Sequence, residues 1–342
     1  MAQALSLDGQ ASKKSDVLMD SYGRVARKLR ISVTDKCNFR CSFCMPEHPS
    51  WLPKEEILSF EEIERLAKIF ASLGVDTIRL SGGEPLARNC MHELVAMLRD
   101  IQEISNINMT TNGFFLEEKA KALKEAGLKG VTVSLHSLRK ERFENITGKF
   151  AYERVLNGIT AAMDTGLKVK INCVVIKGFN DDEVGDFASL AHKTGLTIRF
   201  IEYMPFDGKK LWNPEKVFSG REIIERIRES YELQPMPREP GSTSTLFEFS
   251  DGQGKIGLIT SITSPFCGDC DRVRLKANGK LVPCLFSSSE YDLRPLLKEG
   301  ASDMQIADFI KGCFWNKDAG VETKLDQVLS IRHIRPMHSI GG

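Results

Sequence analysis

Cys37, Cys41 and Cys44 stand at C-x3-C-x2-C spacing in the stretch "SVTDKCNFRCSFCMP". A structural zinc site takes four ligands, commonly from two C-x2-C pairs, and His48 is the only nearby residue that could supply a fourth. A [4Fe-4S] cube gripped by three thiolates instead keeps one iron without a protein ligand, free to chelate a small molecule. A second set, Cys267, Cys270 and Cys284, is spaced C-x2-C-x13-C. Alone it reads as a zinc-ribbon fragment or as structural thiols. In a chain that already carries one triad, it points to a second open cube. Cys90, Cys173 and Cys313 lie among apolar neighbours and are expected as buried thiols.

The elements that must position these groups repeat one grammar: an amphipathic helix, a glycine stop, then a strand. It is written in "LAKIFASLGVDTIRL", "KALKEAGLKGVTVSL", "ITAAMDTGLKVKINCVV" and "LAHKTGLTIRFIEY", where Gly74, Gly127, Gly166 and Gly195 fall at helix ends that need a left-handed residue. The helix opening at Ser59 carries a capping box with Glu62 and buries Ile63, Leu66, Phe70 and Leu73. With "LRISV" and "NINMTTNG" added, strands are expected near residues 31, 78, 109, 133, 172 and 200. Strands alternating with crossover helices pair in parallel. The fold class is therefore α/β, a partial (βα)6 TIM-like barrel. Three segments are expected: a short polar arm over 1–21, the barrel over 22–208, and an α+β region over 209–342 that closes the open side and carries the second triad.

Chemistry in such a barrel gathers where strands end. The first triad follows strand 1, "SGGEP" (81–85) follows strand 2, "TTNG" (110–113) follows strand 3, and "SLHS" (134–137) ends strand 4. Lys170 and Asn172 lie on strand 5, and strand 6 carries Arg199 and ends near Met204. In "SGGEP" the glycines would let backbone approach a ligand, and Glu84 could hold an ammonium group. His136 is expected as a satisfied rim residue without a catalytic role.

Composition narrows the classes. Forty-seven basic against 46 acidic residues leave a net charge of +1, so no basic excess marks a nucleic-acid binder. No apolar run is long enough to span a membrane, and the polar start lacks the apolar core of a signal peptide. With nine cysteines read as ligands or buried thiols rather than disulfides, a cytoplasmic location is expected. Neither G-x-x-x-x-G-K-[ST] nor G-x-G-x-x-G occurs, which removes the P-loop and the usual dinucleotide signature.

"RISVTDKCNFRCSFCMP", "IRLSGGEPL", "RFIEYMPFDG", "LITSITSPFCGDCDRVRLKANGKLVPCLF" and the terminal "IGG" resemble the radical S-adenosylmethionine superfamily, and within it the GTP 3′,8-cyclases of molybdenum cofactor biosynthesis, from Tyr22 to Gly342. The resemblance implies a radical SAM barrel with two [4Fe-4S] clusters, on Cys37, Cys41 and Cys44 and on Cys267, Cys270 and Cys284. S-adenosylmethionine would bind the open iron of the first cluster and GTP that of the second. The implied reaction takes hydrogen from ribose C3′ with a 5′-deoxyadenosyl radical and joins C3′ to guanine C8.

Carried over position by position, Phe43, Gly83, Ser134 and Met204 line the S-adenosylmethionine site, and Arg30, Arg79, Thr110, Lys170, Arg272, Val273 and Arg274 contact GTP. Several fixed cations suit a triphosphate. Arg79 and Lys170, with Arg199 as a weaker candidate, also interrupt apolar strands, where an unpaired charge would cost several kcal/mol. Gly341 and Gly342 are expected to thread into the cavity, and the short insert "EHPSWLP" to leave the first cluster's loop more open. The partners implied are GTP, an external electron donor and the cyclic pyranopterin monophosphate synthase that takes the product. No nucleic acid or membrane is among them, and a homodimer is allowed. The rival readings are a radical S-adenosylmethionine peptide modifier with an auxiliary cluster and a zinc-stabilised nucleic-acid-binding protein.

Overall fold

The computed structural model describes residues 17–206, 208–209, 211–321 and 336–341. Six strands fall where the helix–glycine–strand grammar puts them: β1 (Lys28–Ser32), β2 (Thr77–Ser81), β3 (Asn106–Thr111), β4 (Gly130–Ser134), β5 (Lys168–Val175) and β6 (Thr197–Glu202). Later in the chain come β7 (Leu233–Pro235), β8 (Thr245–Phe249), β9 (Lys255–Ile259), β10 (Arg272–Leu275), β11 (Lys280–Val282) and β12 (Tyr291–Asp292). The helices are α1 (Phe60–Ser72), α2 (Met91–Arg99), α3 (Leu116–Ala126), α4 (Lys140–Thr147), α5 (Tyr152–Asp164), α6 (Val184–Thr194), α7 (Gly220–Arg228), α8 (Arg294–Lys298) and α9 (Asp303–Trp315).

All twelve strands join one sheet in the order β12-β11-β10-β1-β2-β3-β4-β5-β6-β9-β8-β7. From β10 through β9 every neighbouring pair is parallel. The segment after residue 208 therefore adds a parallel strand to each flank of the six-stranded barrel, β10 beside β1 and β9 beside β6, and both edges run on into antiparallel hairpins. The sheet runs through the expected boundary near residue 208 without a break.

Helix ends follow local chemistry. Ser59 and Glu62 form the capping box of α1, and Ser219 with Glu222 and Ser302 with Gln305 repeat the device on α7 and α9. Gly74, Gly127, Gly166 and Gly195 all take positive φ at their helix ends. Between sheet and helices lies a continuous apolar core that includes Ile31, Ile63, Leu80, Met109, Val133, Ile171 and Phe200. The expected N-terminal arm is partly core. Leu18 is buried and its N–H donates to the Leu73 carbonyl, while residues 1–16 lie outside the described part. Among the described residues no helix is long and apolar enough to cross a membrane.

Candidate functional site

The inner face of the sheet carries charge in register. Arg274, Arg30 and Arg79 are direct neighbours on β10, β1 and β2, and Asn108 of β3 continues the row. One pleat further along, Thr110, Thr132 and Lys170 align on β3, β4 and β5, followed by Ser134, Asn172 and Arg199 on β4, β5 and β6. Like charges on neighbouring strands destabilise a sheet unless something neutralises them. Burial and the neighbouring arginines pull the Arg30 guanidinium well below its ordinary range, and burial with Arg79 brings Arg199 to about 9. Burial, and then Arg199 and Arg79, also lower Lys170.

Neutral groups hold the guanidinium forks in place. Arg79 Nη1 donates to Thr110 Oγ1 (3.4 Å) and Thr132 Oγ1 (3.3 Å). Arg199 donates from Nε to Asn172 Oδ1 (2.9 Å) and from Nη2 to Thr132 Oγ1 (3.1 Å). Gly257 of β9 leaves room for Arg199, because a side chain there would press on Arg199 Cγ. Sequence reasoning passed over Thr132, whose signal is the polar alternation in "GVTVS".

These cations line a cavity of about 620 Å³ together with all six triad cysteines and Phe43, Gly83, Ser134 and Met204. Of the substrate residues expected from the sequence, Arg30, Arg79, Thr110, Lys170, Arg272 and Arg274 border it. Val273 does not. It is fully buried in the core opposite Leu29, because successive residues of a strand face opposite ways. Gly341 adds its backbone: Arg274 Nη1 (2.7 Å) and Arg30 Nη1 (3.3 Å) both donate to its carbonyl oxygen. Its φ of +77° suits glycine, and Ser81 Oγ stands where a side chain would project. Gly342 lies outside the described residues.

At the first triad, Cys37 Sγ accepts from the Phe39 N–H (3.4 Å) and from Asn112 Nδ2 (3.8 Å). Burial pushes the Cys37 thiol up to about 11 and the Cys44 thiol up to about 12. Burial and then the other two sulfurs raise Cys41. Ionised together, sulfurs that raise one another in this way would repel, so the set fits a group that brings concentrated positive charge, as an iron–sulfur cluster does.

In "SGGEP" both glycines border the cavity and also pack against the neighbouring loop, whereas Glu84 departs from its sequence expectation. A side chain at Gly82 or Gly83 would overlap the backbone of Thr34 to Lys36, and the Gly83 and Glu84 N–H groups donate to the Thr34 and Lys36 carbonyls (both 2.8 Å). Both glycines let the two strand-end loops touch. Glu84 is fully buried and accepts from Thr111 Oγ1 (2.7 Å), Asn112 N (2.7 Å) and Leu86 N (2.9 Å). It is therefore not available to an ammonium group, and its work is to tie the end of β3 to the loop after β2. Gly208 is a further close approach, lying against the Met45–Pro46 peptide.

The insert after the first triad is tied down rather than open. Leu52 N donates to Asp35 Oδ2 (2.6 Å), the Arg40 guanidinium sits 5.3 Å over Trp51, and Trp51 packs edge-on against His338. His338, rather than the exposed His48, neighbours the triad at Cys44. His136 accepts the Val174 N–H at Nδ1 (3.1 Å) and stacks edge-on with Phe43. Burial lowers it to about 4, so it is neutral and satisfied.

The second triad has cationic surroundings. Burial pushes the Cys270 thiol up, but the Arg272 guanidinium and the Lys317 ammonium outweigh it and bring Cys270 to about 7. Arg24, buried and paired with Asp20 (2.6 Å), donates to the carbonyls of Cys267 (3.0 Å), Asp318 (2.6 Å) and Ala319 (2.5 Å). Among the described residues no three His, Cys, Asp or Glu side chains are gathered as around a single metal ion, at either triad. Cys173 and Cys313 are buried as expected. Cys90 is a correction: it is exposed, at the N-cap of α2, with φ of +57°.

Two family models match the chain: Radical SAM superfamily over residues 31–191, and Molybdenum Cofactor Synthesis C over residues 196–323. A GTP 3′,8-cyclase of Aquifex aeolicus is 46% identical over 81% of this chain and 88% of its own length. The mitochondrial GTP 3′,8-cyclase of Arabidopsis thaliana is 39% identical over 96% of this chain and 84% of its own. Human molybdenum cofactor biosynthesis protein 1 is 44% identical over 88% of this chain, which spans 48% of that protein. In fold, Streptococcus suis SuiB bound to S-adenosylmethionine aligns with a TM-score of 0.61 at 15% identity, over 92% of this chain and 68% of that one.

Proposed function

Because this chain belongs to the GTP 3′,8-cyclase family of radical S-adenosylmethionine enzymes, we infer that its cavity holds GTP between two iron–sulfur groups, with the triphosphate on the cationic inner face of the sheet. The activity is conversion of GTP to 3′,8-cyclo-7,8-dihydro-GTP, the first step of molybdenum cofactor biosynthesis. Held by Cys37, Cys41 and Cys44, a [4Fe-4S] cluster with S-adenosylmethionine would supply one-electron chemistry and a hydrogen-abstracting 5′-deoxyadenosyl group directed at ribose C3′.

The chain's own residues bind and orient. Cys37, Cys41 and Cys44 would hold the first cluster, and Phe43, Gly83, Ser134 and Met204 would surround S-adenosylmethionine. Arg30, Arg79, Thr110, Lys170, Arg272 and Arg274 would take GTP, joined by Arg199. Cys267, Cys270 and Cys284 would hold a second [4Fe-4S] cluster against the guanine. The observation that carries this reading is the register row Arg274–Arg30–Arg79, bordering the same cavity as both thiol triads. Within the proposal, an external donor supplies the electron and the cyclic pyranopterin monophosphate synthase consumes the product.

The test is isotopic. Anaerobic turnover of reconstituted protein with GTP deuterated at ribose C3′ is expected to put deuterium into 5′-deoxyadenosine. Unlabelled 5′-deoxyadenosine alongside consumed GTP would refute the assigned hydrogen.

A further inference from the structure

The segment after α9 wraps the second triad. Lys317 Nζ donates to Cys270 Sγ (3.4 Å), to the Cys270 carbonyl (3.1 Å) and to the Arg272 carbonyl (2.9 Å). Its side chain is buried, 2% exposed, and its ammonium lies 4.8 Å from the Phe314 ring centroid. Arg24 holds the next two carbonyls, of Asp318 and Ala319. Gly320 then runs so close to Cys267 that a side chain there would overlap its Cβ and Sγ. Arg272 Nε approaches Cys270 Sγ from its own side (3.4 Å), so two cations donate to one sulfur. At the first triad the sulfur of Cys37 receives neutral donors, the Phe39 N–H and the Asn112 amide.

This asymmetry has an electronic consequence. A charged hydrogen bond to a ligating sulfur withdraws electron density from the metal group, and net charge and hydrogen bonds to sulfur set cluster potentials. We propose that Lys317 is a positioning residue of the second cluster, whose buried ammonium at Cys270 Sγ raises that cluster's reduction potential and strengthens its open iron as an acceptor for a guanine lone pair. The proposal rests on the second cluster inferred above. A lysine that merely ended α9 by satisfying two carbonyls would leave the potential unchanged on removal.

The experiment is an anaerobic, spectroscopically monitored redox titration of the reconstituted full-length chain, with Cys37, Cys41 and Cys44 changed to Ala so that only the second cluster reports. Lys317→Met removes the charge and the donors; Lys317→Gln keeps a donor and removes the charge. Both variants are expected to lower the potential, the Met variant by a roughly tenfold or greater change in the reduced-to-oxidised ratio, about 59 mV for one electron. If the Met variant does not retain its cluster, the Gln variant carries the comparison. The first cluster, titrated with Cys267, Cys270 and Cys284 changed to Ala, should not respond to either. Equal second-cluster potentials in the parent and the Gln variant would overturn the role of Lys317 while leaving the second cluster standing. A parent protein that binds no cluster at the second triad would overturn both.

Discussion

At the scale of single residues, the cations of the inner face are the strongest functional signal. Arg79 borders the cavity from mid-strand and is held by two threonine hydroxyls rather than by a carboxylate. Arg79→Met is expected to weaken GTP binding by about 2 kcal/mol, roughly thirtyfold in Kd, and calorimetric titration under anaerobic conditions measures it. An unchanged Kd would remove Arg79 from the phosphate site. Arg79 and Lys170 could be read from the sequence because charge inside an apolar strand needs a reason. Val273 turns its side chain to the core because "RVR" cannot place three consecutive side chains on one face of a strand, which leaves only its backbone for the site. Glu84 was misread for another cause: its three donors come from Leu86, Thr111 and Asn112, and two of these lie on the next strand's end, beyond the reach of local spacing. Lys317 gave no local signal, since its partners Cys270 and Arg272 are distant in sequence.

At the scale of elements, caps and glycine stops were legible because they are written within a few residues, as with Ser59 and Glu62 on α1. On α7, Glu222 completes the Ser219 capping box and pairs with Lys177 (2.6 Å). Burial raises the Glu222 carboxyl, but the Lys177 and Ser219 hydrogen bonds outweigh it and hold it near 2, below the ordinary 4.5. Its folded state therefore binds fewer protons than its unfolded state between those values. The stability it contributes is present above pH 4.5 and is lost as pH falls toward 2. Glu222→Gln, which keeps the capping pattern, is expected to melt slightly lower at neutral pH and to lose less on acidification than the parent. Parallel melting curves with the same acid slope would contradict this. The tied-down insert shows where element-level reading failed: its length was visible, but its anchors, Arg40 and His338, lie outside it.

At the scale of the whole molecule, six parallel strands were readable, and so was a short strand at "KIGLITSIT", but the parallel pairing of β9 and β10 on the two flanks was not. Their parallel partners β6 and β1 are far away in sequence, so their pairing is fixed by closure of the sheet rather than by local pattern. That closure brings the second triad and Arg272 and Arg274 to the same cavity as the first triad. Crowded buried cations also make the fold responsive to anions. Inorganic tripolyphosphate alone is expected to raise the melting temperature, by up to about 2.7 kcal/mol of stabilisation at a hundredfold excess over its Kd, and Arg30→Met should reduce the shift; no shift with the parent protein would argue against a phosphate-binding face. The central claim, that two triads serve one substrate from one cavity, is tested most directly by anaerobic turnover of parent and Cys284→Ala proteins with S-adenosylmethionine, dithionite and GTP, quantifying 5′-deoxyadenosine and cyclised GTP together. The account predicts that Cys284→Ala still assembles the first cluster and cleaves S-adenosylmethionine but loses cyclised GTP, whereas cyclisation at the parent rate would contradict it.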